Sequence, residues 1–108
     1  MVLSISNYNV KQVEAILENV REDRVNIIET QHFIDQATSK SRIKYCKPSI
    51  ANKVLKTVKQ IKVESSKDDK FKITYQHPNT EDYYLIIVMF IVNESEIRLI
   101  TTHPEGIK

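Results

Sequence analysis

Glycine is nearly absent from this sequence, which has one glycine, Gly106, in 108 residues. Loops that hold the phosphates of nucleotides need glycine wherever backbone amides approach the ligand closely. Neither a P-loop nor a dinucleotide-binding fingerprint can therefore be present. This excludes the classes of nucleotide-dependent enzyme that these motifs define, and we expect no cofactor.

Cysteine is equally scarce, since Cys46 is the only one. No disulfide can form within the chain, which argues against a disulfide-stabilised secreted scaffold, and we expect Cys46 to be a buried thiol. Residues 1–6 lack the basic start and the apolar core of a signal peptide. The longest apolar run, residues 83–92, has about half the length that a membrane-spanning helix needs. We therefore expect a cytoplasmic protein that makes no contact with a membrane.

What the sequence does contain is typical of one globular domain. Hydrophobic residues make up 41% of the chain and charged residues 28%, which are ordinary fractions for a folded protein. No linker, internal repeat or low-complexity segment interrupts the pattern. We therefore expect a single domain over residues 1–108.

Hydrophobic spacing predicts three helices. Apolar residues recur at helical spacing over 10–22, where Asn9 can cap the helix and Gln12 follows three residues later. A second strong pattern begins at Pro48 and reaches about Lys62. A weaker pattern predicts a short helix over 31–40.

Four segments have the composition of strands: residues 25–30, 70–75, 83–92 and 96–102. The last three follow one another with short turns and form a predicted antiparallel meander, whereas residues 64–69 are expected to be a polar connection. The predicted fold is α+β, with an antiparallel sheet of three to four strands packed against helices in the order α-β-α-α-β-β-β. Because the strand over 83–92 is apolar on both sides, it needs cover on both faces, and a homodimer over the sheet is one hypothesis.

Basic residues are concentrated in the middle of the chain. Residues 1–39 carry three basic and six acidic side chains, residues 40–72 carry eleven and three, and residues 73–108 carry two and five. Such a block can attract a polyanion, and RNA is the natural candidate. The predicted nucleic-acid-binding residues are Lys44, Lys53, Lys56, Lys59 and Lys72. The alternatives are an acidic protein partner and a solvated lysine face.

Histidine and arginine side chains supply the parts of a metal-independent ribonuclease. That reaction needs a base for the 2′-hydroxyl proton, an acid for the leaving oxygen and cations for the charged phosphorane. The predicted catalytic residues are His32, Arg42, Arg98 and His103, with Lys44 as a further phosphate ligand and with Tyr75 and His77 as additional candidates. The alternatives are histidines with structural or surface roles, and an ion pair between Arg98 and a nearby carboxylate.

A zinc site built from the three histidines and Cys46 is the remaining possibility for chemistry. No pair of these residues has the close spacing of known zinc motifs. Nothing next to Cys46 marks it as an activated nucleophile either. We therefore predict no metal site.

Several short motifs together resemble the RelE-like toxin superfamily, nearest to its BrnT-like branch and related uncharacterised small proteins. The motifs are Thr30-Gln31-His32-Phe33, Ser41-Arg42-Ile43, the basic helix, residues 70–75, residues 84–92 and residues 98–102. The resemblance implies a compact sheet with packed helices, cleavage of RNA without a metal, and neutralisation by an antitoxin protein. It also implies roles for His32, for Arg42, and for Thr101 or Thr102.

Two hypotheses follow from the sequence. The first is an RNA-directed protein of RelE-like fold that acts as a metal-independent endoribonuclease toxin. The second is a non-catalytic homodimeric module that binds a protein or nucleic-acid partner through its basic helix.

Overall fold

A five-stranded mixed sheet with helices on one face forms the protein. The computed structural model describes residues 8–40 and 42–107. Its elements are α1 (Val10–Arg21), β1 (Asn26–Glu29), α2 (Gln31–Ala37), α3 (Ile43–Cys46), α4 (Pro48–Thr57), β2 (Lys62–Ser65), a 3-10 turn (Lys67–Asp69), β3 (Lys70–Gln76), β4 (Tyr83–Asn93) and β5 (Glu96–Gly106). In the part of the chain described, no helix is long and apolar enough to cross a membrane.

The sheet confirms the α+β class but differs from the predicted strand arrangement. Its order is β1-β5-β4-β3-β2, in which β1 runs parallel to β5 and the other neighbours are antiparallel. The predicted antiparallel meander is confirmed for β3, β4 and β5, whereas the sheet has five strands in place of three to four and β1 joins it in parallel. The parallel pair arises because β1 lies far from β5 in sequence, so three helices and a meander can intervene.

The second strand was missed because the helical spacing continues past the end of α4. Val58 adopts an extended backbone, with φ −114° and ψ 136°, so the helix ends at Thr57 and not near Lys62. Residues 62–65, predicted as helix end and connection, instead pair with β3. Val63 is the one buried residue of β2. A strand of four residues with one buried residue shows too little alternation of apolar and polar residues to be recognised from the sequence.

The first helix forms as the sequence predicts. The Asn9 side chain accepts a hydrogen bond from the backbone of Gln12, and the Gln12 side chain accepts one from the backbone of Asn9, which makes a capping box. Four apolar side chains of α1 are buried: Val13, Ile16, Leu17 and Val20. The predicted helix over 31–40 is shorter and ends at Ala37, and α3 adds one unpredicted turn.

Each of the four α-helices contributes buried residues to one core on one face of the sheet. Strand β3 contributes Phe71, Ile73 and Tyr75 to this core, and β4 contributes Leu85, Ile87 and Met89. Because side chains alternate along a strand, the intervening residues point to the opposite side. We call this side the open face. Its members on strands β2 to β5 are Lys62, Glu64, Lys70, Lys72, Thr74, Gln76, Tyr84, Ile86, Val88, Phe90, Arg98, Thr101, His103 and Glu105.

The last strand is longer than predicted, and its second half has a free edge. β1 pairs with β5 only as far as Leu99, whereas β5 continues to Gly106. The Ile107 N–H donates to the Asp82 carbonyl across the ladder, so by alternation the backbone nitrogen of Pro104 faces away from β4. Proline has no N–H to offer there, as is typical of a protected sheet edge.

Candidate nucleic-acid interface

His103 lies on the open face because the final strand extends past the predicted end. The register pairs His103 with Ile86 on the neighbouring strand β4. The register of β4 and β5 shifts between Val88 and Met89, and on the other side of this shift Arg98 pairs with Phe90. Both side chains therefore point to the same side, but four residues of β4 separate them, which is roughly 13 Å along the strand.

Two cations lie close enough to His103 to change its titration. The pKa of His103 is below its ordinary value of 6.5 because partial burial disfavours the charged ring and because Arg42 and Lys72 repel it. Glu105 acts in the opposite direction but more weakly. The imidazole is therefore neutral at pH 7, so that it can accept a proton while two positive charges lie beside it.

Arg42 is held at the free edge of β5. Its Nη1 donates to the Thr102 carbonyl at 3.1 Å, which is one of the backbone groups that no strand partner reaches. The Arg42 carbonyl in turn accepts from the backbone nitrogens of Tyr45 and Cys46 as α3 begins. These contacts fix the backbone of Arg42 against the last strand and its guanidinium near His103.

Lys72 and Glu105 form an ion pair across the open face, with 3.8 Å between Lys72 Nζ and Glu105 Oε1. The two residues lie on β3 and β5, so the pair spans the intervening strand β4 above Ile86. Ile86 is only 1% exposed, although it lies outside the core cluster that the described helices cover. The long charged side chains thus cover an apolar residue with their stems, while their charged ends remain partly exposed.

A groove adjoins this ion pair at the same end of the open face. Its cavity volume is about 250 Å³. Its lining includes Lys72 and Glu105 together with Lys62, Glu64, Thr74, Tyr84 and Ile61. The groove thus combines cations, carboxylates, a hydroxyl and an aromatic ring at the end of the open face where His103 lies.

Two of the four predicted catalytic residues come together, and two lie apart from them. Arg42 is bound to the Thr102 carbonyl, next to His103 in sequence, and its charge contributes to the lowered pKa of His103. Arg98 instead forms an ion pair with Glu96, at 3.7 Å between Nε and Oε2, which confirms the alternative prediction for this residue. His32 is exposed in the first turn of α2, and in residues 8–40 and 42–107 it makes no hydrogen bond or ion pair.

The predicted nucleic-acid-binding lysines are divided between two sides of the molecule. Lys72 lies on the open face. Lys53 and Lys56 lie on α4, whose buried residues face the helix-covered side of the sheet, so these lysines point away from it on the far side. Lys56 also pairs with Asp23 at 3.5 Å.

The remaining two lysines have separate surroundings. Lys44 lies 5.4 Å from the centre of the Tyr45 ring on α3, in a cation–π contact. Lys59 lies beyond the end of α4 and lines a pocket with Arg21, Gln60 and two glutamates of α1. The lysines that looked like one stripe in the sequence therefore do not form one continuous surface.

His77 has a structural role. It is buried, its Nδ1 accepts from the Asn79 backbone N–H at 3.0 Å, and its Nε2 is 2.8 Å from the Tyr45 carbonyl. Since Nδ1 is an acceptor, the ring proton is on Nε2 and donates to that carbonyl. Both ring nitrogens are used within the fold, which leaves His77 no group for catalysis.

Tyr75 and Cys46 are buried in the core. Burial raises the pKa of the Tyr75 hydroxyl, and this hydroxyl has no hydrogen-bond partner among the described residues. Burial also raises the pKa of the Cys46 thiol to about 11, which confirms the prediction of a buried thiol. In residues 8–40 and 42–107, no group of three or more histidine, cysteine or acidic side chains is placed to hold a metal ion.

Comparison of the chain with protein-family models, with curated proteins and with solved structures finds no match. The resemblance to RelE-like toxins therefore depends on its short motifs alone and stays a prediction. The geometry of the open face is the basis for any functional conclusion.

Sequence reasoning missed Glu105, Tyr84 and the Lys62–Glu64 pair as members of this site. The cause was the predicted end of the last strand at residue 102, which left Glu105 in a tail. The signal was available for Glu105, because it continues the outward parity of His103 along β5. No comparable signal marked residues 62 and 64, since β2 itself was not recognised.

Proposed function

We propose that this protein binds single-stranded RNA on the open face of its sheet and cleaves it without a metal ion. His103 is the base that takes the 2′-hydroxyl proton, and Arg42 and Lys72 bind the phosphate. As the 2′-oxygen bonds to phosphorus, the bond to the 5′-oxygen breaks, and this leaving oxygen takes its proton from water. The single observation that supports this function is a histidine whose pKa is lowered by partial burial and by two cations, on a sheet face that the described helices leave uncovered.

The chemistry of these three groups is complementary to a phosphodiester. A neutral imidazole can accept the proton of an attacking hydroxyl at pH 7. Two cations at its side stabilise the additional negative charge of the phosphorane as it develops. The same cations lower the pKa of the His103 ring before RNA binds, which favours the unprotonated form that acts as a base.

The open face favours single strands over duplexes. Proteins that recognise unpaired RNA stack its bases on aromatic side chains of an exposed sheet and bind its backbone with basic residues. Tyr84 and Phe90 are the aromatic residues of the open face, and Lys62, Lys70 and Lys72 are its lysines. A duplex would hide the bases from these rings.

The test is incubation of a labelled single-stranded RNA with the purified protein in EDTA. We expect cleavage to leave a 2′,3′-cyclic phosphate, and we expect His103→Gln to abolish cleavage while RNA binding remains. Arg42→Gln and Lys72→Met should weaken both steps and reduce the dependence of binding on salt. Lys53→Gln, on the far side of α4, is the matched control and should change neither.

The outcomes separate the two parts of the proposal. Binding without cleavage would retain the RNA-binding surface and overturn the catalytic role of His103. Loss of cleavage in His32→Gln, with activity retained in His103→Gln, would restore the site that the sequence motifs imply. The antitoxin partner stays a prediction of the resemblance.

A second candidate function is homodimerisation over the other end of the open face. Val88 and Phe90 are the apolar residues of β4 there, and Ile28, which is 36% exposed, lies on β1 beyond Arg98. A second copy related by a two-fold axis would cover these residues by face-to-face sheet packing. The His103 end would remain accessible, so this candidate is compatible with RNA binding.

Light scattering coupled to size exclusion tests this candidate. We expect a dimer that Phe90→Glu converts to a monomer. The matched control is Ile43→Glu, which introduces the same charge at an exposed apolar residue of α3. A monomer of 12.6 kDa for the unmodified protein at micromolar concentration would contradict the homodimer hypothesis.

A further inference from the structure

The groove beside His103 contains a pair of side chains with opposite hydrogen-bonding character. Lys62 and Glu64 point outward from β2 because Val63 between them is buried. Lys62 Nζ lies 3.8 Å from Glu64 Oε2. A donor and an acceptor group are thus presented side by side at the outer border of the groove.

This pair is complementary to one nucleic-acid base. A carboxylate only accepts hydrogen bonds, and an ammonium group only donates them. Guanine presents two neighbouring donors, N1–H and the N2 amino group, next to one acceptor, O6. Adenine, cytosine and uracil each lack two neighbouring donors on that edge, so a carboxylate can take at most one of their hydrogen bonds.

The position of the pair agrees with the length of a nucleotide. The register aligns His103, Ile86, Thr74 and Lys62 in one row across β5, β4, β3 and β2. Three strand spacings separate the ends of the row, which is roughly 14 Å. One nucleotide, with the side chains that bind it at each end, can fill this span.

The floor of the groove suits a flat ring. Tyr84 is half-buried and lines the groove together with Thr74. Aromatic side chains on open sheets stack with bases, and this stacking does not depend on base identity. Tyr84 would therefore hold the base, while Lys62 and Glu64 would select it.

From this arrangement we propose that the groove is a guanine-selective base site, with Glu64 accepting from N1–H and the N2 amino group and Lys62 donating to O6. The inference rests on the proposed function, because it assumes that the phosphate of the same nucleotide binds at His103. It adds the identity of the recognised base, which the His103 site by itself does not determine.

Fluorescence anisotropy with short labelled uridine oligomers tests the selectivity. Each oligomer contains one central guanine, adenine, cytosine or hypoxanthine, and the 2′-hydroxyl of the central nucleotide is removed to prevent cleavage. We expect the guanine oligomer to bind about tenfold to a hundredfold more tightly than the adenine or cytosine oligomer, the range that one good bidentate contact supplies. Hypoxanthine, which lacks the N2 amino group, should be intermediate.

Two variants make the test specific to the pair. Glu64→Gln should remove the preference for guanine but retain binding to plain oligouridine, because the phosphate site is unchanged. Glu94→Gln, the same substitution at an exposed position in the turn between β4 and β5, is the control and should retain the preference.

The failures of the two proposals differ. No binding to any oligomer would overturn the proposed function and this inference together. Binding with equal affinity for all four bases, or a guanine preference that survives Glu64→Gln, would overturn the inference alone.

Discussion

The two faces of the sheet are built from the same strands but serve different ends. On the covered face, Ile73, Leu85 and Ile87 are fully buried under the helices. On the open face, Ile86 lies between Thr74 and His103 of the neighbouring strands, beneath the ion pair of Lys72 and Glu105. Strand alternation thus separates a face packed under helices from a face rich in charged residues within a distance of one residue.

The largest expected effect compares two adjacent isoleucines. Ile87→Ala should lower the free energy of unfolding by about 2–5 kcal/mol, because the fully packed core cannot close the cavity. Ile86→Ala should cost about 1–2 kcal/mol, since it loses buried apolar area but water and flexible side chains can fill the space. Urea denaturation followed by circular dichroism measures both. Equal losses would contradict the distinction between the faces.

The next comparison uses two adjacent threonines of β5. Thr102 is fully buried, and its hydroxyl donates to the Ile86 carbonyl at 2.9 Å. Thr102→Val should therefore cost about 1 kcal/mol of unfolding free energy through the lost hydrogen bond. Thr101→Val, on the open face, should remain within about 0.5 kcal/mol of the parent protein. A larger loss for Thr101→Val would mean that the open face is packed against something.

The ion pair between Lys72 and Glu105 should contribute less. Both side chains are more than a third exposed, so a double-mutant cycle with Lys72→Met and Glu105→Gln should give a coupling below about 1 kcal/mol. The coupling should decrease as salt is added. A coupling that salt does not change would indicate a buried pair, contrary to the geometry.

The smallest expected effect is on the pH dependence of stability. The pKa of His103 in the folded protein is below the ordinary value of 6.5, so the unfolded chain binds more protons as the pH falls below 6.5. The contribution of His103 to the free energy of unfolding is therefore complete above pH 6.5 and is lost as the pH falls through the pKa of His103 in the folded protein.

Denaturation of the parent and of His103→Gln between pH 7 and pH 5 measures this contribution. The parent protein should lose more stability than the variant across this interval. Lys72→Met removes one of the two repelling cations and should give an intermediate curve. Identical curves for parent and His103→Gln would contradict the lowered pKa.

Local patterns predicted the elements that have strong periodicity or capping. The helix after Asn9 and the strands over 70–76 and 83–93 follow from residues that contact their own neighbours in sequence. The strand β2 could not be predicted, because Val58 and Ile61 maintain helical spacing although the backbone has already become extended. Its existence depends on pairing with β3, which is a tertiary contact.

The candidate site was predictable only in part. Arg42 and His103 were both recognised from their chemistry, and the charge of Arg42 contributes to the lowered pKa of His103. Their meeting depends on the extension of β5 past residue 102 and on the hydrogen bond from Arg42 to its free edge. Arg98 was assigned to the same site as a cation for the phosphorane, but the charge of a residue does not give its distance from His103 along the strand.

Pro104 limits the ways in which another polypeptide can join this molecule. A strand that approached the exposed border of β5 would find no amide hydrogen at Pro104, and the nearby Thr102 carbonyl already accepts from Arg42. Growth of the sheet by addition of a foreign strand is therefore blocked at this border. A partner that extends the sheet would have to pair with one of the outer strands, β1 or β2, at the two ends of the strand order.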